Sequence, residues 1–283
     1  MFNTIISAVE LAPELANPDW LVIDCRHDLG DLEYGRRAYH HAHIPGAIFA
    51  HLDEDLSGPI VPGTTGRHPL PCITAMEQLF SRWGIGPATQ VVVYDDKRGA
   101  IAARLWWMLC YLGHNAVAVL DGGLASWEKA GLPQNTEIRK LAPANFVGKA
   151  QQNWTNDAAA VDHLRTAPDA VVVDSRAPER YRGEVEPIDP VAGHVPGAIN
   201  MPFADNWTSE GLLKSPAELR ARFADLPAAE KTTFYCGSGV TACHNILAYA
   251  HAGLGDARLY PGSWSDWITV EGRGVEVSAV DGL

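Results

Sequence analysis

The sequence has little of what export, membrane or nucleic-acid proteins require. Its first twenty residues, MFNTIISAVELAPELANPDW, hold no basic segment followed by an apolar core, so they do not read as a signal peptide. No apolar run approaches the ~20 residues that cross a bilayer. With 22 Lys and Arg against 34 Asp and Glu, the net charge is −12. That balance argues against nucleic acid or an anionic membrane as the main partner. A small anionic ligand stays open, because a local cluster of arginines reverses the field. The cysteines (Cys25, Cys72, Cys110, Cys236, Cys243) are an odd count without regular spacing, and none forms a Cys-x-x-Cys pair. This argues against a disulfide framework and against structural zinc. Reduced thiols in a cytoplasmic protein are the expectation. The HHAH tract at 40–43 has no companion ligands, and neither a metal nor a cofactor is expected.

What the sequence does have is a copy of itself. WLVID at 20–24 precedes Cys25-Arg26, and AVVVD at 170–174 precedes Ser175-Arg176. HIPGAI at 43–48 returns as HVPGAI at 194–199. VVVYD at 91–95 corresponds to TTFYC at 232–236, and DGGLASW at 121–127 to PGSWSDW at 261–267. The markers are separated by 150 residues (Asp24 to Asp174), 151 (His43 to His194), 141 (Asp95 to Cys236) and 140 (Trp127 to Trp267). Recurrence in one order implies two homologous domains, drawn at 1–135 and 150–283. The second is about ten residues shorter between its second and third markers. The polar stretch 131–153, GLPQNTEIRKLAPANFVGKAQQN, reads as the linker.

Each copy alternates β-branched runs with helical patterns. LVIDC and VVVDS read as buried strands. After VVVYD, Ile101, Leu105, Met108, Leu109 and Leu112 fall on one helical face, and Gly113 supplies a stop. NAVAVLDGG is then a strand and a turn. Strand, helix, strand implies parallel sheets with crossover helices, so each domain should be a small α/β sheet covered on both faces. Ligands gather where strands of such sheets end. The turns after Tyr94 and Tyr235 are such places, and they differ: Asp95-Asp96-Lys97-Arg98-Gly99 against Cys236-Gly237-Ser238-Gly239.

The run VTACHNILAYAHAGLG reads as a helix ending near Gly253, which places Cys236 just ahead of a helix N-terminus. Unpaired N–H groups and the positive dipole end stabilise an anion there, so the thiol is expected to be acidified and reactive. Gly237 and Gly239 leave the backbone N–H groups uncovered, and Ser238 and Thr241 add hydroxyls. Cys25, Cys72, Cys110 and Cys243 are expected to be structural. Asp24 and Asp174, each two residues before an arginine in both copies, read as braces, and the Trp-rich segments as packing.

On Asp174-Ser175-Arg176, Arg180-Tyr181-Arg182-Gly183, HVPGAI and CGSGVT, the duplicated chain resembles the two-domain rhodanese family over nearly its whole length. The CGSGVT loop is similar to that of its 3-mercaptopyruvate sulfurtransferase branch. Thiosulfate-preferring members usually carry basic residues at the positions of Gly237 and Ser238. The resemblance implies a catalytic C-terminal domain and an inactive N-terminal copy. It implies sulfur transfer from a small anionic donor through a Cys236 persulfide to a thiophilic acceptor such as cyanide, a thiol or thioredoxin. Ser238 would assist in proton movement. Arg180 would bind the donor carboxylate, with Arg182 beside it, and Gly237, Gly239, Val240 and Thr241 would line the cradle. In the family, His43, supported by Asp31, would approach the loop serine from the N-terminal copy; its recurrence as His194 favours instead a turn histidine that hydrogen-bonds backbone. Mercaptopyruvate enzymes tend to have a second clamping arginine further on, and EVEPIDPVAG at 184–193 contains none.

A cysteine phosphatase on a similar cradle would need an arginine where Ala242 stands, to grip phosphate bidentately. GSGVTA lacks the lysine of a phosphate-binding loop. The remaining alternatives are thiosulfate as donor and a non-catalytic rhodanese-like binding module.

Overall fold

The structure, a computed structural model, describes residues 1–278 of the 283. The chain forms two compact units. Unit 1 comprises Met1–Gly58, Pro71–Gln151 and Ser209–Leu213, and unit 2 comprises Pro59–Leu70, Gln152–Thr208 and Lys214–Leu283. Each unit therefore includes a short segment from the other half of the sequence.

In unit 1, β1 (Ile5–Ile6), β2 (Trp20–Asp24), β3 (Ile48–Phe49), β4 (Gln90–Tyr94) and β5 (Val117–Leu120) form one sheet in the order β1-β5-β4-β2-β3. All of its pairings are parallel. Val22, Val92, Ala118 and Leu120 face one core with Leu11, Leu124 and Trp127. The alternate residues Leu21, Ile23, Val91 and Val93 are equally buried on the other face, as expected of parallel strands covered twice. The helix anticipated after β4 runs from Ala102 to Tyr111, and Gly113 ends it with φ +83°. The pattern gave it one apolar face, yet residues 102–110 are buried all round. It packs on β4 and β5. Its outer side is covered too: Trp106 donates to the Asn3 carbonyl at 2.9 Å, and Arg104 to the Leu56 carbonyl at 3.4 Å.

In unit 2, β6 (Val171–Asp174), β7 (Ile199–Asn200), β8 (Thr232–Tyr235) and β9 (Arg258–Leu259) make a parallel sheet ordered β7-β6-β8-β9. Trp264 and Trp267 lie fully buried in its core with Val172, Val195 and Tyr260. The stretch 131–153 contains no helix or strand. Among the described residues, no helix is long and apolar enough to cross a membrane.

The two sheets share their register and their braces. Asp24 pairs with Tyr94, and Asp174 with Tyr235. Arg26 grips Asp24 at 2.6 Å and donates to the Ala42 carbonyl at 2.7 Å. Arg176 repeats this with Asp174 at 2.6 Å and the Gly193 carbonyl at 2.7 Å. These carboxylates and guanidiniums are buried but fully paired, which is the condition for keeping charge in a core.

Candidate active site

The register places Cys236 as the first residue past β8, where its sulfur is held by backbone. Gly239 N–H donates to Sγ at 3.2 Å, and the thiol residue is only 2% exposed. Its own N–H donates to Ser263 Oγ at 3.1 Å, and its carbonyl accepts from Trp264 N–H at 3.0 Å. The loop is thereby tied to the turn 261–265. Gly239 is required twice over: it has φ +77°, and a Cβ there would lie 2.3 Å from the Pro261 carbonyl oxygen. The helix after the loop spans Ala242–His251, and Gly253 follows at φ +75°.

Around this sulfur stand groups from three stretches of unit 2. Ser238 Oγ and His68 Nδ1 are 2.7 Å apart, both buried. Arg67 and Arg180 lie over Gly237: a Cβ there would meet Arg67 Nη2 at 3.0 Å and Arg180 Nη2 at 3.6 Å. Burial draws the Arg67 guanidinium below its ordinary value, Cys236 opposes part of this, and the neighbouring Arg180 adds to the drop. Two buried carboxylates face the arginines. Glu186 accepts from Arg180 at 2.6 Å and from Arg176 at 3.2 Å. Asp189 pairs with Arg67 through one oxygen and with Arg180 at 3.4 Å through the other.

The structure brings Cys236, Gly237, Ser238, Gly239 and Arg180 together. Val240 is buried behind the loop, and Thr241 is half-buried at the helix start with no side-chain capping bond. Arg182 turns elsewhere, pairing with Glu184 at 2.7 Å among exposed groups. His43 is fully buried in unit 1 with both ring nitrogens against carbonyls, Nδ1 at 2.7 Å from Tyr39 and Nε2 at 3.1 Å from Glu137. Its ring stacks on Tyr39 at 4.0 Å, as that of His194 stacks on Tyr181 at 3.7 Å. The histidine at the loop serine is thus His68 and not His43, whose ring belongs to a turn that both copies share. Asp31 is exposed and pairs with Arg37. Cys72 is exposed as well, unlike the other three cysteines taken as structural.

His68 and Arg67 were missed because VPGTTGRHPLP carries no period and no motif. One signal was present: the first copy is about ten residues longer in this part of the sequence, and 59–70 is the segment that belongs to unit 2. Arg67 places a second guanidinium beside that of Arg180, whereas EVEPIDPVAG contains no arginine.

At the same station of unit 1, Asp95 is fully buried. Its Oδ1 accepts from the N–H groups of Lys97 and Gly99 at 2.8 Å each, and its Oδ2 from Ile101 at 2.7 Å and Ala102 at 2.8 Å. Burial pushes the Asp95 carboxyl above its ordinary value, and these four donors oppose the push. The loop that holds a sulfur in one copy therefore holds a carboxylate in the other.

Metal-ligating atoms of His27, His51 and Asp53 lie within 4.8 Å of one another. His51 is already engaged, with Nδ1 accepting from Asp53 N–H at 3.1 Å and Nε2 against the Leu32 carbonyl at 3.0 Å.

The rhodanese-like domain model matches residues 7–130 and 157–269. A Pseudomonas aeruginosa protein, named a probable 3-mercaptopyruvate sulfurtransferase, is 48% identical over 269 residues, 94% of this chain and 95% of that one. The thiosulfate sulfurtransferase of Mus musculus is 34% identical over 281 residues, 95% of this chain and 93% of its own. The structure of 3-mercaptopyruvate sulfurtransferase from Leishmania major superposes with a TM-score of 0.80 at 33% identity, covering 93% of this chain and 73% of that one.

Proposed function

The chain belongs to the rhodanese-like sulfurtransferase family, and from that premise we propose that it moves sulfur from 3-mercaptopyruvate through a persulfide on Cys236 to a thiol acceptor. One observation supports this reading most. A buried sulfur on a backbone N–H is followed directly by Gly237, over which two guanidiniums lie, and by Ser238 paired with His68.

Arg180 and Arg67 bind the donor carboxylate and set the donor's sulfur against Sγ. The Cys236 thiolate attacks that sulfur, forming an S–S bond as the C–S bond breaks. The C–S electron pair leaves as pyruvate enolate. The Ser238 hydroxyl and the His68 ring, 2.7 Å apart, hold the proton that the enolate takes up to become pyruvate. The terminal persulfide sulfur is negative, and loop N–H groups stabilise it until an acceptor thiolate, or cyanide, removes it and restores the Cys236 thiolate. In this reading the acceptor is cyanide, a small thiol or thioredoxin, in the cytoplasm.

Unit 2 is the catalytic copy in this reading, and unit 1, whose Asp95 is no sulfur nucleophile, is inert. Thiosulfate remains the second donor, because the mouse relative that carries that name is 34% identical over nearly the whole chain.

The deciding experiment compares kcat/KM for the two donors, with Cys236→Ser as control. Preference for 3-mercaptopyruvate is expected. Equal or better thiosulfate turnover would replace the donor. If neither donor adds the mass of one sulfur atom to Cys236, the binding-module reading takes over.

A further inference from the structure

The segment 184–193 contains no arginine, and two of its carboxylates, Glu186 and Asp189, face the arginine pair and differ in how firmly they are held. Glu186 is a fixture. Its Oε1 accepts from Arg180 Nη2 at 2.6 Å and from the backbone N–H groups of Ile188 and Asp189 at 3.1 Å. Its Oε2 accepts from Arg176 and Arg180 Nε at 3.2 Å each. Asp189 has a different set of partners. Among the described residues, its carboxylate hydrogen-bonds to two guanidiniums, Arg67 closely and Arg180 at 3.4 Å. Among the described residues no backbone donor anchors it, and residues 184–190 form no regular element. Asp189 is nevertheless buried, with its side chain 3% exposed. An anion thus already occupies the arginine pair that lies over Gly237.

We propose that Asp189 is an internal competitor for the donor's anionic group. Its carboxylate rests on Arg67 and Arg180 and is displaced when a donor binds, which sets donor affinity and favours monoanions over dianions. Three guanidiniums (Arg67, Arg176, Arg180) are balanced by three carboxylates (Asp174, Glu186, Asp189). A donor carboxylate that replaces Asp189 keeps the guanidinium bonds in number, so binding yields less than it would at an empty pair. The displaced Asp189 stays close, and its repulsion scales with the charge of the ligand. The identity of the donor rests on the function proposed above. The competition for anions does not.

The test measures how well pyruvate and sulfate protect Cys236 from alkylation by iodoacetamide, in the parent protein, Asp189→Asn, Asp189→Ser and Asp189→Glu. Both neutral variants should bind pyruvate about tenfold more tightly, the effect of removing one competing charge pair. Sulfate, with twice the charge, should gain by up to about the square of that factor. Asp189→Glu should stay within about twofold of the parent, since the charge is retained. In turnover, the gain should fall on KM for the donor rather than on kcat. Unchanged or weaker protection in the folded neutral variants, checked by thermal melting, would overturn the proposal, as would equal gains for the two anions. If the parent fails to turn over 3-mercaptopyruvate, the donor reading falls while the protection assay still decides the role of Asp189.

Discussion

Asp95 and Cys236 occupy the same station in two copies of one fold, each one residue past a central strand and ahead of a buried helix. In unit 1 the loop closes four N–H groups onto a carboxylate that is part of the chain. In unit 2 the sulfur takes the Gly239 N–H at 3.2 Å, and Arg67, Arg180 and the Ser238–His68 pair stand around it. The difference teaches that the loop itself is an anion cradle. An attached carboxylate satisfies it permanently and makes it a structural element. A cysteine leaves it able to receive and release charge, which sulfur transfer needs.

The comparison breaks most sharply by exchanging the two residues. Cys236→Ser should lower turnover by about a thousandfold or more, because it removes the nucleophile. Adding Asp95→Cys to that variant should restore no persulfide by mass spectrometry, since the arginines and His68 are not part of unit 1. Recovery of transfer would mean that the cradle alone suffices. Next in size, Asp95→Ala strands four N–H groups in the core and should cost about 3 kcal/mol or more in urea unfolding. Cys236→Ala, which frees one such bond, should cost under about 1 kcal/mol. Similar costs for both would remove the distinction between a structural and a functional anion.

His68→Asn should reduce kcat with 3-mercaptopyruvate by about a hundredfold. Discharge of a preformed persulfide to a thiol should change far less, because that half-reaction makes no enolate. A loss shared equally by both halves would assign His68 to loop structure. The smallest effect concerns the thiols. Burial, then the charges of Asp24 and Asp95, push the Cys25 thiol well above its ordinary value, whereas Cys72 is exposed. At about pH 9 an alkylating agent should therefore modify the exposed Cys72 and leave Cys25 unmodified, as peptide mapping will report. Modification of Cys25 in the folded protein would show that the loop core beside Asp95 opens.

The fold was legible because it is written in local signals that occur twice. WLVID, VVVYD, VVVD and TTFY are β-branched runs of the length a doubly covered parallel strand requires, and Gly113 and Gly253 stop their helices at positive φ. The Asp-x-Arg braces and the Trp-rich turns were likewise legible as structure, for both copies carry them while one copy has the cysteine. The cysteine loop was legible for the same reason: Cys236 and its glycines stand where the scaffold shared by both copies carries different residues.

The other half of the site was decided by tertiary structure alone. His68 lies 170 residues from Ser238 in sequence, in a stretch of prolines and glycines whose conformation has no period to read. The resemblance pointed to the histidine of HIPG instead, although its recurrence in both copies marked it as a turn residue. It could not show that Tyr39 stacking and two carbonyls already consume that ring. Nor could it show that Arg67 lies beside Arg180 over Gly237, or that Asp189 of 184–193 reaches back to hold it. Strand and helix patterns report backbone geometry over a few residues. A Ser238–His68 hydrogen bond and an ion-paired cluster of arginines depend on side chains meeting through space, and only the folded chain fixes which ones meet.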